Sequence, residues 1–343
     1  MTAVKLAKWL AGLGTIHVLI ACGGFFAPYD PLEQDRQHPY ARPMTIHLTD
    51  PQGRVYGRPF FYPLSVGDGS LDQYVEDTTR AMPLKFLVHG ASYRFLGLIP
   101  SRAHLFGTEG PRIYLLGTDG YGRDQLSRII YGGQISLLAG LLATAITLSF
   151  GLGVGALAGY YGGWTDEVLM RLAELFLALP WLYLLLGMRA FLPLSVSPLE
   201  AFLLIVVVTA TVGWARPARL VRGVVLTAKE RDFLRAARGF GASDGYLFRR
   251  HILPETSSVL LTQAAILVPQ YVLAEMTLSF LGLGVPEPAA SWGNLLANLQ
   301  QYSVLTSYWW MYLPAVAMVP FFLGYLGLAS ALQEGADLRN IGG

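Results

Sequence analysis

The sequence predicts an all-α membrane protein of six spanning helices, with a partly β insert between the first and second. Three observations carry this. Only 14% of the 343 residues are charged, against about 25% in ordinary soluble domains. Six stretches are apolar over lengths near the roughly 20 residues that a helix needs to cross lipid. The positive charges gather between those stretches, in the pattern that holds short loops in the cytoplasm.

The first span runs from Trp9 to Tyr29 without Asp, Glu, Lys or Arg, behind Lys5 and Lys8. The same pattern describes a signal peptide, and Leu19-Ile20-Ala21-Cys22-Gly23 resembles the cleavage site of bacterial lipoproteins. The apolar run continues past Cys22 to Ala27, where a lipoprotein turns polar, so the segment reads as a span. Ile129–Thr165 is the second. Val168–Met188 is the third; Arg171 and Glu174 within it share a helix face and neutralise each other. Ala201–Ala215 is the fourth, short but extended back past Glu200 to Pro198. Thr256–Leu283, carrying Glu275, is the fifth, and Trp309–Leu332 the sixth.

Orientation follows from charge. Lys5 and Lys8 place the N-terminus in the cytoplasm, and six crossings return Arg339 to the same side. The segment 216–254 also falls inside, and between Arg216 and Arg250 it holds nine Lys or Arg against three acids. The chain thus divides into a first helix (1–29), an insert outside the membrane (30–128) and a five-helix core (129–343). Long translocated segments are largely exempt from the charge rule, so arginines in the insert do not oppose this. Within the insert, Met44–Thr49 alternates like a strand, Asp50-Pro51-Gln52-Gly53 makes a turn, Arg54-Val55-Tyr56 returns, and Lys85–Val88 is a further strand. The insert is read as a solvated cap or as a docking surface for an external partner.

Gly151, Gly155 and Gly159 clear one face of the second span for close approach of another helix. Pro180, Pro269, Pro314 and Pro320 lie in spans, where each removes a backbone donor and favours a kink. Glu275 is placed near the outer end of its span, bonding a neighbouring loop, because a proton relay would need further intramembrane partners. One cysteine excludes a disulfide framework and a cysteine metal cluster. Asp119 and Asp124 are too few for a calcium loop, and no metal is expected on this chain. A net charge of +2 gives no footprint for nucleic acid.

The basic segment is more than a topological anchor. Glu230–Phe240 forms helix readily and breaks at Gly239 and Gly241. Ser243 or Asp244 caps a second helix, to which Tyr246, Leu247 and Phe248 give an apolar face, and Pro254 ends it. In order along the chain, Arg235-Ala236-Ala237, Gly241 and Ile252-Leu253-Pro254 resemble the "Glu-Ala-Ala … Gly … Ile-Leu-Pro" loop of ABC importer permeases. Leu116-Gly117-Thr118-Asp119-Gly120-Tyr121-Gly122-Arg123-Asp124 and Leu278-Ser279-Phe280-Leu281-Gly282-Leu283-Gly284, followed by Ser291-Trp292-Gly293, resemble the dipeptide and oligopeptide branch. The resemblance covers residues 115–325 and the first span.

That resemblance implies the type I permease fold in a bacterial inner membrane and an ATP-driven importer of peptides or peptide-like solutes. It implies as partners a homologous second permease, two cytoplasmic ATPase subunits that hold ATP and magnesium, an external binding protein, and membrane lipid. Ala236, Ala237, Gly241, Ala242, Ser243, Asp244, Tyr246, Leu247, Ile252, Leu253 and Pro254 would couple this chain to an ATPase. The chain has no Gly-x-x-x-x-Gly-Lys-Ser/Thr phosphate loop of its own. It departs from the pattern in three ways. Arg235 stands where relatives carry Glu, with Glu230 and Asp232 the nearest acids; the C-terminal tail differs; and the insert is longer. An ion-coupled secondary transporter is the alternative, and would require inverted repeats and charged midplane sites. An intramembrane enzyme would need a catalytic pair, and the spans hold only His17, near no acid.

Overall fold

A computed structural model describes residues 2–50, 52–66, 74–178, 180–191 and 196–341, with the side chains of 2–3, 188–189, 233–235, 238 and 336–341 outside the description. The first apolar segment forms α1 (Thr2–Ala21) and, past a break at Cys22, the single turn α2 (Gly23–Phe26). The insert follows as strands. β1 (His47–Thr49) pairs antiparallel with β2 (Val55–Phe61), which also pairs with β5 (Met82–Pro83). Asp50 closes the β1–β2 turn, its Oδ1 accepting from the Gln52 and Arg54 amides at 3.0 and 2.8 Å. β3 (Leu64–Val66) pairs with β4 (Tyr74–Glu76), and β6 (Lys85–Phe95) with β7 (Ile99–Gly107).

The second span is α3 (Gln125–Tyr161), 37 residues long. The expected third span is not one straight helix. It is α4 (Gly163–Ala178) and α5 (Trp181–Ala190), with an angle of 91° between Gly163–Ala178 and Trp181–Gly187. Pro180 has no N–H and disfavours helix in the residue before it. Its carbonyl instead starts α5, accepting from Tyr183 and Leu184 N at 3.0 and 3.1 Å. The expected fourth span is likewise bent: α6 (Pro198–Gly213), opened by a Ser197–Glu200 capping box, then α7 (Ala215–Lys229) at 45°.

Next come α8 (Asp232–Gly239), α9 (Asp244–Leu247), a π turn (Phe248–Ile252) and α10 (Leu253–Phe280). The last elements are α11 (Trp292–Ala297), α12 (Tyr302–Ser307) and α13 (Leu313–Ile341). Among the described residues, four helices are long and apolar enough to cross a membrane, and up to six if each bent pair counts as one span. Pro269 and Pro320 lie inside α10 and α13, whereas Pro314 sits in a first turn.

The chain forms two units. One takes in Met1–Leu13, Leu137–Leu278 and Pro320–Gly343. Its apolar clusters join α3 to α6 and α10 through Ala139, Ala143, Val206, Leu267 and Tyr271, and α4 to α7 through Ala173, Ala215 and Ala218. Within it Lys5 Nζ lies 3.2 Å from Glu334 Oε2. Arg171 and Glu174 are 3.6 Å apart on the exposed face of α4, and Glu275 is fully buried. The other unit, Gly14–Ser136 with Ser279–Val319, has its core at Ala41, Phe61, Ile113 and Tyr114.

Candidate functional site

The basic segment takes its shape from backbone geometry. Asp232 opens α8 in its first turn, where an acid is favoured by the helix dipole. The helix stops at Gly241, whose φ of +85° suits glycine and few other residues. Phe240 N bonds Ala236 O at 3.0 Å, and Ala242 N reaches back five residues to Ala237 O at 3.1 Å. Ala237 and Ala242 join the same apolar cluster. A left-handed glycine, a six-to-one hydrogen bond and an apolar contact between the flanking residues together make a Schellman stop. This gives the Ala236-Ala237 … Gly241 spacing its physical content.

Ser243 then caps α9, its Oγ accepting from Tyr246 N at 3.4 Å. Pro254 does not end the second helix as expected; Asp244–Phe280 runs as one apolar helical stretch. The π turn is the reason. Leu253 N bonds Phe248 O, five residues back, so the backbone widens just before a proline whose ring would otherwise press on the preceding turn.

The expected apolar face divides in two. Leu247 and Ile252 are 1% and 0% exposed and pack with Ala156, Val221 and Val225, bracing the segment from within. Tyr246 points outward, and Phe240 at the bend is 92% exposed. Ala236, Gly241, Ser243, Asp244, Leu253 and Pro254 are exposed as well, as are Arg249 and Arg250. The Arg235 side chain lies outside the described residues. The sequence motifs do not single out Phe240; an aromatic beside a glycine stop is the available signal.

The segment is tied to the spans at three points. Tyr160, at the end of α3, donates its hydroxyl to Asp244. Lys229 donates to Tyr160 O at 2.7 Å and Gly159 O at 3.4 Å, a cation on the free carbonyls of a helix end. Arg231 Nη1 meets Glu255 Oε1 at 2.7 Å. Above these ties α3 and α7 touch along the glycine stripe. A Cβ on Gly151 would lie 2.8 Å from Pro217 Cβ, on Gly155 2.3 Å from Ala218 O, and on Gly159 2.9 Å from Val225 Cβ. Arg222 clamps α7 to α4 through two contacts of 2.5 Å to Asp166.

The other motifs build an ionic knot. Asp119 Oδ1 accepts from Tyr121 N and Arg123 N at 2.9 and 3.0 Å, and its Oδ2 from Arg123 Nε at 2.7 Å. Arg123 Nη1 and Arg128 Nη2 converge on Glu287 at 2.6 and 3.0 Å. Asp124 caps α3, its Oδ2 accepting from Ser127 N at 2.8 Å and Ser127 Oγ at 2.7 Å. Burial pushes the Asp124 carboxyl up to about 6. Ser291-Trp292-Gly293 docks alongside, Trp292 donating from Nε1 to Ile129 O at 2.9 Å and from N to Ser136 Oγ at 3.1 Å. Glu287 escaped the sequence reading because its partners lie about 160 positions away.

At the bends of the first unit lies a cavity of about 310 Å³, lined by Trp181, Thr209, Arg216, Gln270 and Tyr271 among others. Its wall is mainly apolar with a few polar groups, as solute sites usually are.

Residues 151–336 match the family model described as binding-protein-dependent transport system inner membrane component. A peptide permease protein of Brucella suis biovar 1 is 37% identical over 224 residues, 65% of this chain and 72% of that one. The dipeptide transport system permease protein DppC of Bacillus subtilis (strain 168) is 35% identical over 241 residues, 70% of each. Among solved structures, the inward-facing methionine ABC transporter MetNI matches with a TM-score of 0.43 and 17% identity, covering 59% of this chain and 95% of that one. The chain belongs to the family of binding-protein-dependent transport system inner membrane components: it is a multi-pass permease subunit of an ABC importer.

Proposed function

We propose that this permease carries peptides or peptide-like solutes and is driven through its 232–254 segment by a separate ATPase. The observation that carries the reading is Phe240. An aromatic side chain 92% exposed, on a bend fixed by Gly241 and braced from inside by Leu247 and Ile252, is the shape of an anchor that fills a partner's pocket. Two cytoplasmic ATPase subunits would bind ATP with magnesium, one of them gripping Phe240 and Tyr246. A homologous second permease would complete the path, an external binding protein would deliver the solute, and both termini would lie in the cytoplasm.

Force on α9 has a direct route. It enters α10 through the π turn within one helical stretch. It enters α3 through Tyr160–Asp244 and α7 through Lys229. α7 and α10 also line the cavity, so movement of the segment would open or close a solute site there. Arg216, Thr209 and Gln270 offer a cation and amide-matching groups to a peptide carboxylate and backbone. The peptide class is supported by the names of the relatives.

The test is co-expression with candidate ATPases, comparing wild type with Phe240→Asp. Wild type should co-purify with an ATPase and show solute-stimulated hydrolysis; the variant should insert and fold but lose both. Equal recovery of ATPase by the two would overturn the proposal.

A further inference from the structure

We infer that the tip of the β6–β7 hairpin dips into the bilayer leaflet in which α1 ends, and anchors the insert to the lipid surface. This goes beyond transport and does not depend on the ATPase reading. Two contacts fix the hairpin's direction. At its base, His104 Nδ1 lies 2.7 Å from Ala27 O, just past the end of α2. Nearer its tip, the Tyr93 ring packs against Gly24, where a Cβ would fall 2.1 Å from a ring carbon. Going from Ala27 to Gly24 the chain retreats toward the membrane helix α1. Going from His104, paired with Val88, to Tyr93, paired with Ser101, the hairpin advances toward its turn. The hairpin therefore points back along the chain, toward α1 and the lipid around it. Phe95 pairs with Ile99 at the turn. At about 3.3 Å per residue, the turn lies roughly 10 Å beyond Tyr93, comparable to the depth at which interfacial segments bury their apolar faces.

The side chains fit that placement. At the tip, Leu96, Leu98 and Ile99 are 52%, 79% and 60% exposed. Gly97, with φ +72°, closes the turn, Gly97 N and Leu98 N bonding Arg94 O and Phe95 O at 3.1 Å each. Each of the three keeps half or more of its surface open, and Val18 and Leu19 near the end of α1 are exposed apolar positions of the same kind. Behind the tip stand Arg94, paired with Pro100, and Arg102, both exposed. In that placement their stems would lie along the acyl-chain boundary while their guanidinium groups reach lipid phosphates. Tyr93 supplies the aromatic ring usual at that level. An apolar point with a basic and aromatic collar, directed at the end of a spanning helix, is complementary to a bilayer interface.

The test uses the full chain, purified with its partner subunits and reconstituted in phosphatidylcholine–phosphatidylglycerol vesicles. In a Cys22→Ser background, an environment-sensitive fluorophore is attached at Leu98→Cys or, as control, at Val55→Cys on β2. The label at 98 should be blue-shifted, quenched severalfold more strongly by shallow nitroxide lipids than the label at 55, and shielded from aqueous iodide. Equal quenching of both labels by iodide would overturn the proposal. So would shielding at 98 that appears only when a binding protein is added, since that makes the tip a protein contact. As a second readout, trypsin should spare Arg94 and Arg102 in vesicles and cut them in a variant carrying Leu96→Asp, Leu98→Asp and Ile99→Asp; cleavage of the wild type at those sites would also contradict it.

Discussion

Arg123 and Arg128 are 2% and 0% exposed and share Asp119 and Glu287 between them, whereas Arg249 and Arg250, after α9, lie on the surface. In the first region charge holds the backbone: remove one partner and another is left buried. In the second, a glycine stop, a serine cap and buried Leu247 and Ile252 hold the backbone, and the side chains that face outward are spare. Substitutions in the knot should therefore act on stability, and substitutions on the outer face of the basic segment on coupling alone.

The largest effect is expected from Asp119→Ala, which leaves Arg123 and Arg128, 2% and 0% exposed, without their buried carboxylate. Breaking a buried pair from one side costs about 3–5 kcal/mol, and thermal unfolding of the detergent-solubilised protein reads it. Gly155→Val comes next. Its Cβ would sit 2.3 Å from the Ala218 carbonyl oxygen, so α3 and α7 must separate, at about 1–3 kcal/mol for overpacking. The same melting experiment checks it.

Asp124 sharpens the comparison through pH. Its carboxyl sits at about 6 because burial disfavours the charged form, and its Oδ1 is buried with no hydrogen-bond partner among the described residues. An unfolded carboxylate titrates near 3.9, so the folded pKa is the raised one. The stability that protonation gives is present in full below about pH 4 and is lost as pH rises through about 6. At about 1.4 kcal/mol per pKa unit, a rise of about two units is worth about 3 kcal/mol. Asp124→Asn should flatten the stability profile across that window; an unchanged slope would mean that Asp124 is not the titrating group.

Smaller still is Gly241→Val, whose φ of +85° costs a side-chain residue about 1–2 kcal/mol. Its signature should be ATP hydrolysis no longer matched by transport, a larger loss than the melting shift. Phe240→Ala should change stability least, within about 0.5 kcal/mol for an exposed side chain, yet weaken ATPase retention.

Much of this was legible in the residues because it is local. The apolar runs that became α1, α3, α10 and α13, the Asp50 turn between β1 and β2, and the serine cap at Ser243 each depend on neighbours in sequence. The sharp bend between α4 and α5 was signalled by Pro180, but its angle depends on what each half packs against. Pro254 misled for the converse reason: proline ends a helix only when the backbone before it cannot widen, and a π turn does that here. Glu287 was out of reach, since an exposed acid becomes the partner of two buried arginines only when the fold brings it to Arg123 and Arg128. Phe240 and Leu247 look alike as apolar letters, and only packing decides that one faces out and the other in.

The most direct measurement is photo-crosslinking from position 240. A photoreactive amino acid replaces Phe240, with the same replacement at Leu247 as the inward-facing comparison, and the permease is expressed with its candidate ATPases. The expected result is a covalent adduct between position 240 and an ATPase subunit whose yield changes when ATP is added, and none from position 247. Failure of position 240 to reach any ATPase, in a complex that still hydrolyses ATP and transports, would contradict the reading of this segment as the point of coupling.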